Sequence, residues 1–248
     1  MAKRDRRLSS PPGPQRAASP YNSPLQAALH TLLTSHAAAP DNPAMLSVHE
    51  LAARRGHARL FAEVGFALAA GQALLITGAN GTGKTTLLRI LAGFSMPEHG
   101  ETRWDGRAYK PFDERIRHVV AFAGHSPALK DELTTVENLS ILAALSGARS
   151  TAAQLDDALA AVSLSRQRAL PARSLSQGQR RRIGLARLHL VRRPLWILDE
   201  PITALDAAGA MLMESMIAAH LDSGGLAVAA IHQPLGLAPE RCARLALS

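Results

Sequence analysis

The chain has 248 residues, 47% of them apolar, enough for one large α/β domain with a substantial core or for two small ones. Its formal net charge is +8, and Cys242 is its only cysteine, which excludes an internal disulfide, offers no two-cysteine spacing for zinc and fits a reducing compartment. Val64 to Gly83 carries no charge but is interrupted by Gly71, Gln72, Gly78 and Asn80. A spanning helix needs roughly 20 mostly apolar residues, so the chain is not expected to cross a membrane by itself.

Residues 1–44 are rich in Ala, Ser and Pro, lack Glu, and show no sustained apolar periodicity, so they are read as a disordered extension. The same Arg-rich, acid-poor composition describes an organelle transit peptide, while Met45, directly before the first strand-like run Leu46 to Leu51, is an alternative start. Lys3, Arg4, Arg6, Arg7 and Arg16 against Asp5 and Asp41 place part of the positive charge here. The densest later run, Arg180 to Arg182, has no interleaved aromatic residues of the kind that stack on bases. A solvated helix face, an anionic lipid surface or an acidic partner accounts for the charge as well as DNA does, and no nucleic-acid partner is expected.

From residue 46 onward short apolar strands alternate with helical patterns, which predicts an α/β domain around a mostly parallel sheet. Strands around Leu60 to Leu68 are expected to form hairpins. Ala73 to Thr77 reads as a buried strand, followed by a glycine-rich turn and a helix over Lys84 to Ala92 that Gly93 ends. Between about Leu133 and Leu170 the pattern is helical, with Leu155, Ala158, Leu159 and Val162 forming an apolar stripe that belongs to a core. Strands return at Leu195 to Leu198 and Leu226 to Ile231, separated by a helix through Met211 to Leu221. No internal repeat is present.

Gly78-Ala79-Asn80-Gly81-Thr82-Gly83-Lys84-Thr85-Thr86 matches the G-x-x-x-x-G-K-[ST] phosphate loop and lies between a predicted strand and helix, as that motif demands. Its glycines turn successive backbone N–H groups toward one anion, Lys84 reaches the terminal phosphates, and Thr85 offers its hydroxyl to Mg²⁺. Leu195 to Glu200 reads as a buried strand ending in two acids. Asp199 is then the partner of Thr85 on Mg²⁺, and Glu200 would orient or deprotonate the attacking water. A capping or salt-bridging role for Glu200 is the plainer alternative.

Ser176 and Gln179 form a capping box that starts a helix running from Gln179 to Val191, where Pro194 stops it. Capping does not require Gly178, which permits close approach of a ligand, and a helix N-terminus carrying a serine suits an anion. That second anion site lies far along the chain from the first.

The phosphate loop, Leu175-Ser176-Gln177-Gly178-Gln179, the acid-ended strand, Ala204-Leu205-Asp206 and His232 occur in the order found in ATP-binding cassette ATPases, which residues 46–248 resemble. The resemblance implies a P-loop fold with an antiparallel β subdomain and a helical subdomain at about residues 126–180. It implies that two copies, as a homodimer, close over two ATP molecules. Ser176, Gly178 and Gln179 would touch the γ-phosphate bound by the other copy, Asp206 would lie at the dimer seam, and His232 would sense that phosphate. Taken alone, His232 is a satisfied histidine at a strand end.

Two departures stand out. His125 occupies the position of the family's glutamine that links the active site to the membrane subunits, and Arg55 the position of the aromatic that stacks on adenine. Together with Gly124-His125-Ser126-Pro127 and Ile231-His232-Gln233-Pro234-Leu235, they make the chain similar to the ATPase of the cytochrome c maturation haem exporter. That family's ATPase sits peripherally on the cytoplasmic face of the bacterial inner membrane with integral membrane partner subunits. An ATPase for another small solute, or a soluble cassette protein, are the alternatives this branch-level resemblance leaves.

Overall fold

The computed structural model describes residues 45–248; the extension and the transit-peptide reading of residues 1–44 lie outside the described residues. Strand β1 (Leu46–Arg55) folds back on β2 (Ala58–Leu68) as an antiparallel hairpin. β3 (Ala73–Gly78) leads into the glycine turn, and helix α1 (Lys84–Leu91) leaves it. Gly93 adopts φ 71° just beyond that helix and its N–H donates to Ile90 O at 2.9 Å, so the chain turns away where the sequence predicts.

The next strands, β4 (His99–Trp104) and β5 (Arg107–Tyr109), were not legible in the sequence because both are short and half exposed. Their two-residue link, Asp105-Gly106, has φ 49° and 72°, the double left-handed conformation that an Asp-Gly pair adopts in tight hairpins. A short helix α2 (Glu114–Arg117) precedes β6 (Val120–Ala123).

The helical stretch consists of α3 (Thr135–Leu145) and α4 (Ala152–Ala161), each opened by a capping box, Thr134 with Glu137 and Thr151 with Gln154. The stripe Leu155, Ala158, Leu159 and Val162 is buried. Helix α5 (Gln177–Val191) starts two residues before the predicted Gln179, with Ser176 as its N-cap. β7 (Leu195–Asp199), α6 (Ala207–Asp222) and β8 (Leu226–Ala230) follow. α6 begins before the predicted Met211 because Asp206 caps it, its side chain accepting from Gly209 N at 2.9 Å. The last strand, β9 (Cys242–Leu247), went unpredicted, since only Leu245 and Leu247 of it are buried.

These elements make two sheets. The antiparallel one has the order β2-β1-β4-β5; the other has the order β6-β7-β8-β3-β9, and every pair in it is parallel. Alternate residues of the parallel strands feed two cores: Leu74, Ile76, Ile197 and Val228 pack with α1 and the antiparallel sheet, while Leu75, Trp196, Leu198 and Ala229 pack under α5 and α6. Burial on both faces is why β7 and β8 read as unbroken apolar runs. The fold is therefore α/β: a parallel core sheet, an antiparallel sheet and a group of helices.

Candidate active site

Strands β6, β7, β8 and β3 lie side by side and parallel, so their carboxyl ends meet along one edge of the sheet. The register aligns Ala123 with Leu198, Asp199 with Ala230, and Ile76 with Ala230. Whatever follows each strand is therefore brought together: His125 after β6, Asp199 and Glu200 at β7, His232 after β8, and the glycine turn after β3. Such an edge is where open α/β sheets bind ligands.

The turn after β3 is shaped by Gly78 and Gly83. Gly78 has φ 147°, and a Cβ there would collide with the Leu247 carbonyl; Gly83 has φ 98°, and a Cβ would come within 2.9 Å of Leu60 Cβ and 3.0 Å of the Phe61 ring. The β1–β2 hairpin thus presses on the turn from one side and β9 from the other. No side chain caps α1, so its first N–H groups and helix dipole face outward, an arrangement suited to phosphate. Lys84 is 7% exposed, and its Nζ donates to Gly78 O at 2.7 Å and Ala79 O at 3.0 Å, leaving one of its three donors for a phosphate oxygen. Thr82 Oγ1 closes the turn by donating to Ala79 O at 3.0 Å.

Thr85 and Asp199, 114 residues apart, meet: Thr85 Oγ1 donates to Asp199 Oδ2 at 3.0 Å. A hydroxyl and a carboxylate at that spacing fit the protein share of a Mg²⁺ shell, which takes its remaining oxygens from phosphates and water. Among the described residues no cluster of three or more His, Cys, Asp or Glu exists that would hold a metal by itself.

Glu200 follows with φ 51°, a conformation uncommon outside glycine that turns its side chain out of the strand. His232 Nε2 lies 2.9 Å from Oε1, His125 Nδ1 lies 3.4 Å from Oε2, and Thr203 Oγ1 donates to Oε2 at 3.2 Å. A carboxylate only accepts, so His232 carries its proton on Nε2. Burial by itself would raise the Glu200 carboxyl; the Thr203 hydroxyl and the His232 and His125 imidazoles outweigh it and hold the group below the ordinary glutamate value. Such a group stays ionised and able to accept a proton.

The remaining candidates fall elsewhere. Ser176 Oγ accepts from Gln179 N at 3.2 Å and Gln179 Oε1 accepts from Ser176 N at 3.0 Å, so both serve the capping box, and neither bonds to the phosphate loop. A Cβ on Gly178 would sit 3.0 Å from Ala204 O, so the segment leading to Asp206 packs on the start of α5. Asp206 Oδ1 accepts from Arg182 Nη2 at 2.6 Å. Its carboxyl is held low by the Gly209 N–H first and by Arg182 as well, against the opposing effect of burial. Arg55 is exposed at the tip of β1, paired with Ala58 across the hairpin.

Sequence reasoning missed three contributors: Thr203, Arg181 and Arg182. The run Arg180 to Arg182 is not a free solvated face. Arg180 Nη2 pairs with Asp131 at 2.6 Å, Arg182 with Asp206, and Arg181 is 6% exposed with its guanidinium on backbone carbonyls. The available signal was helical spacing, since Arg181 precedes Gly184, Leu185 and Leu188 by three, four and seven residues.

Comparison with known proteins agrees with this geometry. The ABC transporter family matches residues 61–203. The cytochrome c biogenesis ATP-binding export protein CcmA of Nitrosomonas europaea is 42% identical over 204 residues, covering 82% of this chain and 96% of that protein. The CcmA protein of Rhizobium johnstonii is 47% identical over 194 residues, covering 77% and 90%. Among solved structures, a dimeric ATP-binding cassette bound to ADP and Pi in a post-hydrolysis state superposes with a TM-score of 0.65 at 21% identity, covering 76% of this chain and 88% of that one.

Proposed function

Because the chain belongs to the ABC transporter ATP-binding family, and within it to the cytochrome c biogenesis ATP-binding export proteins, we propose that it drives haem export for cytochrome c assembly by hydrolysing ATP between two copies of itself. It is an ATPase and an ATP-binding subunit of a transport system. Among the described residues no helix is long and apolar enough to cross a membrane, and the transport path is proposed to lie in separate membrane subunits. The cytochrome c maturation proteins of the bacterial inner membrane are the partners proposed, with this chain docked peripherally on the cytoplasmic side.

The observation that carries the mechanism is the Glu200 carboxylate, ionised and held between His232 and His125 at the same sheet edge as Lys84. Residues Gly78 to Thr86 wrap the phosphates, and Lys84 neutralises charge on the β- and γ-oxygens. Mg²⁺, held by Thr85 and Asp199, would supply further neutralisation of the phosphate charge. A water placed against the γ-phosphorus gives its proton to Glu200 as its oxygen bonds to phosphorus and the bond to the β-bridging oxygen breaks, releasing ADP. His232 fixes the carboxylate and faces the γ-phosphate. Ser176, Gly178 and Gln179 of the second copy complete the pocket, which the exposure of Ser176 at the start of α5 supports. Arg55 offers a guanidinium for the adenine face.

Glu200→Gln keeps the shape and hydrogen bonds but cannot take the proton. It is expected to bind ATP as before, to hydrolyse it about 10²- to 10⁴-fold more slowly, and to accumulate as an ATP-bound dimer. The biological test is cytochrome c haem attachment in a strain whose own copy is deleted and replaced by wild type or Glu200→Gln, both checked for expression. Holo-cytochrome c formed with wild type alone supports the haem-export reading. Equal amounts with both would hand the ATPase to another solute.

A further inference from the structure

Resting on the reading of Glu200 as the group that receives the proton of water, we propose that Arg181 is a positioning residue for hydrolysis. It clasps the segment bearing His125 to the carboxyl end of β7, so that Glu200 stands between its two imidazoles. Arg181 lies in the first turns of α5, the helix that Ser176 opens. Its Nη1 donates to Gly124 O at 2.8 Å and to His125 O, and its Nη2 donates to Asp199 O and Glu200 O at 2.7 Å each. One planar guanidinium thus holds four carbonyls from two different strand ends.

The chemistry singles out arginine. Burial opposes the charge and lowers the pKa of this group, with Asp199 and Glu200 acting the other way. A Leu or Met at a helix position facing the core avoids that desolvation, so a buried cation here is retained for geometry. Only a rigid fork presents N–H pairs along two edges; a lysine ammonium is a single point that cannot span both carbonyl pairs. His125 and Glu200 are the residues whose side chains face each other at 3.4 Å, and Arg181 grips the backbone of both.

The same helix carries a built-in comparison. Arg187 is half-buried, and donates to Phe122 O and, at 2.8 Å, to Ser146 Oγ. It ties β6 to α3 but touches neither Asp199 nor Glu200. Between the two arginines, a Cβ on Gly184 would lie 3.1 Å from Pro127 Cβ, so residues 124–127 rest directly on α5. A displacement of that segment is therefore passed through Arg181 to the position of the Glu200 carboxylate.

The test uses the purified full-length chain and steady-state ATP hydrolysis. Arg181→Lys and Arg181→Met are expected to lower kcat about 10- to 100-fold with KM for ATP changed less than about threefold, the signature of a misplaced reacting group. Arg187→Met is expected to lower the melting temperature while keeping kcat within about threefold of wild type. In the Glu200→Gln background, Arg181→Lys is expected to cause no further loss, because both act on one group. Should Arg181→Met fail to fold, Arg181→Lys, which keeps stem and charge, decides. Wild-type kcat in Arg181→Lys, an equal loss of kcat in Arg187→Met, or losses that multiply with Glu200→Gln would each overturn the clasp. Normal hydrolysis by Glu200→Gln would instead overturn the reading of Glu200 itself.

Discussion

At the scale of single residues, the site is an arrangement of fixed partners more than a set of isolated reactive groups. Lys84 is held by two carbonyls of its own loop, Thr85 by Asp199, and Glu200 by His232, His125 and Thr203. Each partner fixes direction, and direction is what a transition state with charge spread over several oxygens needs. Lys84→Ala removes a charge-assisted phosphate contact and is expected to weaken ATP binding itself, about tenfold or more in Kd by titration calorimetry, in contrast to Glu200→Gln. Unchanged affinity would remove Lys84 from the site. Ser176 and Gln179 illustrate a double use: the capping box that starts α5 leaves the serine hydroxyl exposed at a helix N-terminus, where its oxygen accepts from a backbone N–H and its O–H remains to donate to an anion.

At the scale of elements, helices α5 and α6 convert packing into position. Leu159 of α4 is fully buried in the core beneath α5, and Leu159→Ala is expected to cost about 2–5 kcal/mol of stability by chemical denaturation while ATP turnover per folded molecule holds. The last turn of α6 places His220 on Trp196 of β7, rings stacked 4.1 Å apart at 8°, and His220 Nε2 bonds to Leu226 O at 3.1 Å. Gly225 leaves room for that ring; any side chain there would collide with it. Burial pushes the His220 pKa below the ordinary histidine value, the bond to Leu226 O only partly opposing it. The unfolded chain then binds more protons than the folded one as pH falls through about 6.5, and stability declines across that window. His220→Phe keeps the stack without the titration, so its melting temperature is expected to fall less than that of wild type between pH 7.5 and pH 5.5. Parallel declines would place the acid sensitivity elsewhere.

At the scale of the molecule, the parallel sheet gathers the phosphate loop, the acids and the two histidines at one edge, while Ser176, Gly178 and Gln179 make no hydrogen bond to that loop among the described residues. In the proposed dimer, a second copy supplies the anion-binding helix start for each loop. Mixing Lys84→Ala with Ser176→Arg, each expected to hydrolyse ATP poorly alone at limiting ATP, then yields mixed dimers in which one of the two sites has an intact loop facing an intact signature. Hydrolysis is expected to reappear on mixing. Its failure to do so, with mixed dimers demonstrated, would argue that the signature serves its own chain.

What the sequence determined by itself was local. The phosphate loop, the capping boxes, the helix stop at Gly93 and the buried strands of β7 and β8 were legible because each depends on residues within a few positions of one another, acting through backbone dihedrals, caps and apolar runs. Even the acid pair at the end of β7 was placed by its position on a strand. What only the tertiary structure decided was convergence. Sheet order, not chain order, sets β6, β7, β8 and β3 side by side, and so aims His125 and His232 at opposite oxygens of Glu200. β9 and the β4–β5 hairpin were invisible because short, half-exposed strands carry little periodic signal. Arg181 looked like one member of a basic run; its burial became meaningful only when the fold supplied carbonyls from residues distant in sequence, since a buried charge is tolerable only where partners from several strands reach it at once.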